Sequence, residues 1–198
     1  KFGRHVPGGP DGNFFGLCSG MSGEVATAQK GKWWRIFQRN KKSSEAPAIA
    51  LTEWLTSYLN QTAGLEQQKS PLTFGQLWWP DAPGENMPLA SEPTVKLEMM
   101  TTCLTWGRPF RLPFRDQEDV RENVFYFRKS EFLRLFPKSV VEWLCDHPRE
   151  EERADKKLAP QWVEAGFVPL PEPWNLPVVV ATRMSLSFPV LLSAIPLY

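Results

Sequence analysis

Residues 176–198, LPVVVATRMSLSFPVLLSAIPLY, constrain this chain more than any other stretch. Val178, Val179 and Val180 form a β-branched run between Pro177 and the polar segment that begins at Thr182. A short continuous apolar run bounded in this way predicts a strand buried on both faces, as in a parallel sheet. Thr182 then predicts the N-cap of a short helix, which Pro189 stops. From Pro189 to Tyr198 the sequence is almost wholly apolar, but the run is too short for a transmembrane helix and Pro196 interrupts it. The expectation is that the chain ends inside a core.

The 198 residues suffice for one ordinary domain with a sizeable core. An apolar content of 42 %, with nine Trp and thirteen Phe, excludes general disorder, and nineteen prolines predict short elements and many turns. A net charge of +1 gives no reason to expect a nucleic-acid partner. Cys18, Cys103 and Cys145 are far apart and odd in number. A disulfide scaffold is therefore not expected, and a reducing cytoplasm is. No secretory signal is visible, although the sequence opens on Lys1 rather than Met.

Taken in order, residues 1–13 are Gly- and Pro-rich and read as loop. Gly16-Leu17-Cys18-Ser19-Gly20 has the spacing of a nucleophile elbow with Cys at its centre. An elbow needs a buried strand before it and a helix of small residues after it. Neither is evident, so a structural turn is the expected role, with a catalytic Cys18 as the alternative. Ser22, in a Gly-Met-Ser-Gly-Glu context, is a weaker candidate still. Residues 30–42, KGKWWRIFQRNKK, combine six Lys/Arg with aromatic residues. On a helix Trp33, Ile36 and Phe37 share a face. Lys32, Trp33, Trp34, Arg35 and Phe37 are thus candidates for peripheral membrane contact, Trp at headgroup level and the cations on anionic lipid. The plainer reading is an ordinary element with a solvated basic face.

Residues 47–64 give the clearest helix, with Leu51, Trp54, Leu55, Tyr58 and Leu59 at helical spacing, Pro47 in the first turn and Gly64 at the stop. Residues 41–45 predict an exposed linker. Thr73 and Gln76 have capping-box spacing ahead of Leu77, Trp78 and Trp79. Residues 80–93 read as loop. Residues 95–104 alternate and then continue as a strand, 108–114 read as a proline-punctuated connection, and 124–127 as a second short strand. Ser139 and Glu142 repeat the capping-box spacing and predict a helix carrying Val140, Val141, Trp143 and Leu144. Residues 146–157 are of mixed charge and predict a solvated segment.

Several chemistries lack their residues. His5 and His147 have no Cys or carboxylate neighbours at a metal-ligand spacing, so no metal site is predicted and surface histidines are expected. No phosphate-cradling glycine loop is present, and no cofactor is predicted. Asp116 and Glu118 lie in a charged loop without evident convergence. On the residues alone, the chain is an α/β domain whose chemistry is not evident.

Three stretches resemble a known family. They are ALTEWL (50–55) with PLTFGQLW (71–78), MMTTCLTWGRPFRLPF (99–114) with FLRLFP (132–137), and the run 177–198. Together they resemble bacterial patatin-like phospholipases of the branch with a long central insertion, over most of the chain from about residue 12. The resemblance implies a three-layer α/β fold with a mainly parallel central sheet, present here only in part, plus a loop-rich helical insertion. The whole of 1–198 would be one partial domain, with 1–46 loop-rich and basic-aromatic, 47–79 the helical insertion, and 94–198 leading to the active-site segment. In that family the Ala-x-Arg-x-Ser segment and the following Pro lie close to the active site, a pattern that Ala181, Arg183, Ser185, Ser187 and Pro189 match.

The resemblance implies serine acyl hydrolysis, with a phospholipid or other acyl-ester lipid as substrate. A Ser on a GxSxG elbow attacks, an Asp in an Asp-Gly-Gly/Ala motif is the base, and a glycine loop supplies oxyanion donors. This chain holds neither a GxSxG nor an Asp-Gly-Gly; Asp11-Gly12-Asn13 lies at the wrong end. The expectation is that both catalytic residues lie in neighbouring segments of the same polypeptide, and that none lies in 1–198. The alternative is a non-catalytic lipid- or protein-binding module of degenerate patatin-like type. Either protein would be cytoplasmic, with peripheral contact at the inner membrane.

Overall fold

The computed structural model describes residues 16–18, 50–68, 70–81, 92–114, 124–149, 160–187 and 190–198. These form mixed helix and strand around one apolar core, with three two-stranded sheets among the described residues. Strand β1 (Gly16–Cys18) pairs in parallel with β6 (Val190–Leu192). The pairs β2 (Met99–Cys103) with β3 (Arg108–Leu112), and β4 (Tyr126–Arg128) with β5 (Phe167–Pro169), are antiparallel. The helices are α1 (Leu51–Thr62), α2 (Phe74–Trp78), α3 (Lys129–Phe132), α4 (Lys138–Asp146), α5 (Pro160–Glu164) and α6 (Val178–Ser185).

The centre of the core is α6, and here the structure overturns the strand expected at Val178, Val179 and Val180. All three valines are buried in a helix, with Ala181 and Met184. Strand propensity is a weak prior that tertiary packing overrides, and a helix apolar on nearly every side belongs inside a protein. Burial of each valine is worth roughly 1.5–3 kcal/mol, more than the few tenths that β-branching costs a helix. Pro177, extended at φ −64° and ψ 134°, takes the N-cap position that Thr182 was expected to hold. Thr182 lies one turn inside, its Oγ1 donating to the Val178 carbonyl at 2.8 Å. That back-bond satisfies a hydroxyl in a crowded helix.

The surrounding elements hold α6 through named bonds. The Val178 amide donates to Leu72 O at 2.9 Å, and the Phe74 amide to Leu176 O at 3.1 Å. From the other side, Thr101 Oγ1 on β2 donates to Met184 O at 3.0 Å. Phe74 and Trp78 of α2, Phe127 of β4, Phe132 of α3 and Val140, Val141 and Leu144 of α4 complete the core.

Helix α1 starts at Leu51, with extended Ala50 at its N-cap donating its amide to Glu53 Oε2 at 3.2 Å. Residue 47 lies outside the described residues. The helix ends as expected at Gly64, where φ is +69°. The Leu65 amide reaches back to Asn60 O and the Gly64 amide to Gln61 O, the paired bonds of a Schellman turn. The buried stripe is narrower than its sequence suggests. Leu55 and Leu59 pack on the core, whereas Trp54 and Tyr58 point outward and stack on each other at 5.3 Å.

Of the two capping boxes, one forms. The Gln76 amide donates to Thr73 Oγ1 at 3.4 Å, and the Thr73 amide to Gln76 Oε1 at 3.0 Å. At the other, Pro137 takes the N-cap and α4 begins at Lys138, which places Ser139 inside the helix. Residues 108–112, read from sequence as a connection, form β3. Residues 95–98 lie outside β2, which starts at Met99. Pro109 suits the outer edge of this hairpin, because that edge needs no amide donor.

The C-terminal run does not end inside the core. Tyr198 is exposed, and its backbone exchanges two hydrogen bonds with Tyr126 of β4, at 2.8 and 2.9 Å.

Candidate functional site

The most unusual polar group in the described structure is Arg183, 0 % exposed in the last turn of α6. Its Nη1 donates to Ser187 Oγ at 2.9 Å. Its Nη2 donates to the Ser193 carbonyl at 2.8 Å and to Ser193 Oγ at 3.0 Å. Ser193 is itself fully buried, and Ser187 Oγ donates to the Arg183 carbonyl at 2.9 Å. A guanidinium is tolerated in such a place only when most of its donors are met, and hydrogen bonds from a charged donor are the stronger kind. Here Nη1 and Nη2 are engaged, while Nε is buried without a hydrogen bond among the described residues. The helix dipole also favours a cation at this end of α6. One side chain therefore bridges the end of the helix and the segment just after β6.

This linkage fixes the path of the chain out of α6. After Ser185 the Leu186 amide donates to Thr182 O and the Ser187 amide to Met184 O, closing the helix. Seven residues after Arg183, β6 begins and runs parallel to β1, with Val190 opposite Gly16 and Leu192 opposite Cys18. Arg183 holds both ends of this excursion.

Of the five residues expected near an active site, Arg183 and Ser187 are brought together as bonded partners, and Ala181 is buried in α6. Ser185 is exposed on the helix, and Pro189 lies outside the described residues. Ser193, the third member of the cluster, was missed. A serine in an apolar run is weak evidence in sequence, since its hydroxyl can be satisfied locally. The membrane-contact candidates Lys32, Trp33, Trp34, Arg35 and Phe37 lie outside the described residues, as do Asp11, Ser22, His5, Asp116 and Glu118. Of the elbow-like motif, Gly16-Leu17-Cys18 forms a strand rather than the expected turn, and residues 19 and 20 are not described.

No hydrogen bond between described residues joins a Ser or Cys side chain to a histidine or carboxylate. The hydroxyls of Ser187 and Ser193 are engaged with Arg183, and burial pushes the Cys145 thiol up from its ordinary 9.0, keeping it protonated. Lys129 opposes that rise, and Asp146 and Glu142 add to it. His147 is half-buried rather than a surface group. It stacks on Trp143 at 3.7 Å, with Nδ1 3.0 Å from the Trp143 carbonyl. A carbonyl only accepts, so Nδ1 carries the proton. Among the described residues no cluster of three or more His, Cys, Asp or Glu could hold a metal ion.

A second polar cluster lies where Tyr198 meets β4 and α3. Tyr198 Oη donates to Glu131, 3.1 Å from each carboxylate oxygen, and Glu131 pairs with Arg128 at 3.4 Å. The Arg128 guanidinium lies 4.6 Å from the Phe167 ring centre and 5.8 Å from that of Tyr198. Burial first, and then the Glu131 carboxylate, push the Tyr198 phenol above its ordinary 10.0, with Arg128 opposing.

No family model and no solved structure matches this sequence. The chain is 34 % identical over 190 residues to the RpoH suppressor of Rhizobium meliloti (strain 1021). The similarity covers 94 % of this chain and 24 % of that protein, so the chain spans about a quarter of the length of its relative.

Proposed function

We propose that this chain is the scaffold and substrate wall of a patatin-like, phospholipase A-type serine hydrolase whose Ser and Asp lie in neighbouring polypeptide. The observation that carries the reading is the Arg183 linkage. It fixes the segment the family resemblance puts beside the reaction centre, while the hydroxyls it holds are committed to binding Arg183. A buried pin of this kind positions a neighbouring group and does not itself react. The parallel β1–β6 pair supports the same reading, as the portion of a mainly parallel central sheet that this chain would contribute. Similarity to a stretch of a much longer relative fits a region that works together with further chain. The substrate class is an acyl-ester lipid. In this reading contact with lipid is peripheral, at the inner face of the membrane; no described helix is long and apolar enough to cross one.

The test is hydrolysis of a soluble p-nitrophenyl ester and of phospholipid, by residues 1–198 alone and by the polypeptide extended at both ends. The account expects background rates from the first and turnover from the second. Turnover by 1–198 alone, abolished by Cys18→Ala or Ser22→Ala, would refute it, as would an inert extended protein. That last result would favour the second reading, a non-catalytic lipid- or protein-binding module.

A further inference from the structure

The hairpin formed by β2 and β3 ends in an apolar tip. In the turn between the strands Leu104 is 57 % exposed and Trp106 48 %, and Met100 on the outer face of β2 is 62 % exposed. Leu104 and Trp106 lie in the same four-residue turn, whereas isolated exposed apolar residues would need no explanation. The base of the hairpin is rigid: Phe110 and Leu112 are buried in β3, and Thr101 is bonded to α6. Trp106 is propped in place, 5.7 Å from Phe110 and 6.1 Å from Phe125 between ring centres.

Within the hairpin itself the charges are of one sign. Residues 99–112 contain Arg108 and Arg111 and no Asp or Glu. The Arg108 guanidinium lies 5.1 Å from the Trp106 ring centre and 4.8 Å from that of Phe110. Glu98 touches Arg111 at 3.7 Å, but both are exposed, and a pair of that kind exchanges readily with other anions. A tryptophan with a leucine beside it and arginines just behind it matches the layering of a bilayer surface, apolar below and anionic above. The backbone cost of entering that layer is small, because the strand ladder is paired and the Gly107 amide already donates to Cys103 O at 2.8 Å.

We propose that the tip of this hairpin is a membrane contact, seating Leu104 and Trp106 at the headgroup level of an anionic bilayer with Arg108 and Arg111 on lipid phosphates. The residues of this surface do not include the candidates at 32–37. It rests on the proposed lipid-directed function only for the class of its partner. Binding is read without turnover, and hydrolysis of a soluble ester needs no bilayer, so failure of either proposal is distinguishable from failure of the other.

The experiment is co-sedimentation of the full chain with phosphatidylcholine vesicles, with and without phosphatidylglycerol, at low and high ionic strength. The expected result is salt-sensitive binding to the anionic vesicles only. The Leu104→Ser/Trp106→Ala protein should lose affinity by about tenfold or more, as expected when two inserted side chains are removed. Leu104→Ser alone, at an exposed turn position, should show part of that loss with an unchanged melting temperature, and so guards against a double variant that fails to fold. Arg108→Gln should weaken the salt dependence, and Trp33→Ala/Trp34→Ala should leave tip-dependent binding in place. Absence of vesicle binding, or equal binding by wild type and both tip variants, would overturn the proposal. So would a concentration-dependent dimer in light scattering that the tip variants abolish, since the patch would then be an interface between copies of this chain.

Discussion

Replacing Arg183 by Met would keep much of its apolar stem but leave Ser193 and Ser187 without their donor. Hydrogen bonds to a charged group are worth about 1.5–3 kcal/mol each, and a buried orphaned acceptor costs a comparable amount. Arg183→Met should therefore destabilise the fold by about 3 kcal/mol in chemical denaturation. Arg183→Lys should recover little, because a single ammonium on a flexible stem cannot span Ser187 and Ser193 as the fork does. Tyr198 provides a different test. Both Tyr198 and Cys145 are neutral when protonated, and both hold their proton more tightly when folded. Their contribution is complete below their ordinary values of 10.0 and 9.0 and is lost as pH rises through the higher folded values. Thermal stability should fall above about pH 9. Tyr198→Phe should flatten the upper part of that fall, leaving the contribution of Cys145.

At the scale of elements, the two capping boxes separate what sequence shows from what it does not. Thr73 and Ser139 carry the same spacing, yet only Thr73 caps a helix. Thr73→Ala should cost about 1 kcal/mol, whereas Ser139→Ala, inside α4, should be neutral or slightly stabilising. Comparing the two denaturation midpoints checks this directly. The local signal at Ser139 loses to Pro137, whose fixed φ suits an N-terminus and which lies two residues earlier. At Gly64 the sequence was sufficient, since only a residue at ease with positive φ can close that helix. Gly64→Ala meets no neighbour within 4 Å, so its expected loss of about 1 kcal/mol is one of backbone conformation alone. Val178, Val179 and Val180 mark the opposite limit. An apolar run of that length does not tell a buried helix from a buried strand, and the choice is made by Leu72, Phe74 and Thr101, which reach it from distant parts of the chain. Pro109 similarly concealed β3, whose partner β2 lies across a four-residue turn.

Across the whole molecule, the aromatic richness and the 42 % apolar content correctly indicate a packed core, and α6 lies at its centre. The identity of α6 as a helix changes how the reaction centre would be built. Its buried Arg183 holds the exit toward β6 in place, and β6 joins β1 in a parallel pair; in the proposed reading, strands from outside this chain would add to it. The partnership of Arg183 with Ser193 could not be read from sequence, because ten residues separate them and nothing in the apolar run marks one serine as an acceptor. The proposed function puts the chemistry outside residues 1–198, and labelling is the most direct test of that proposal. The polypeptide extended at both ends would be treated with a fluorophosphonate that reacts with activated serines, and the adduct located by peptide mass spectrometry. A single modified serine outside residues 1–198 is expected; an adduct on Ser185, Ser187, Ser22 or any other residue of this chain would overturn the proposed function.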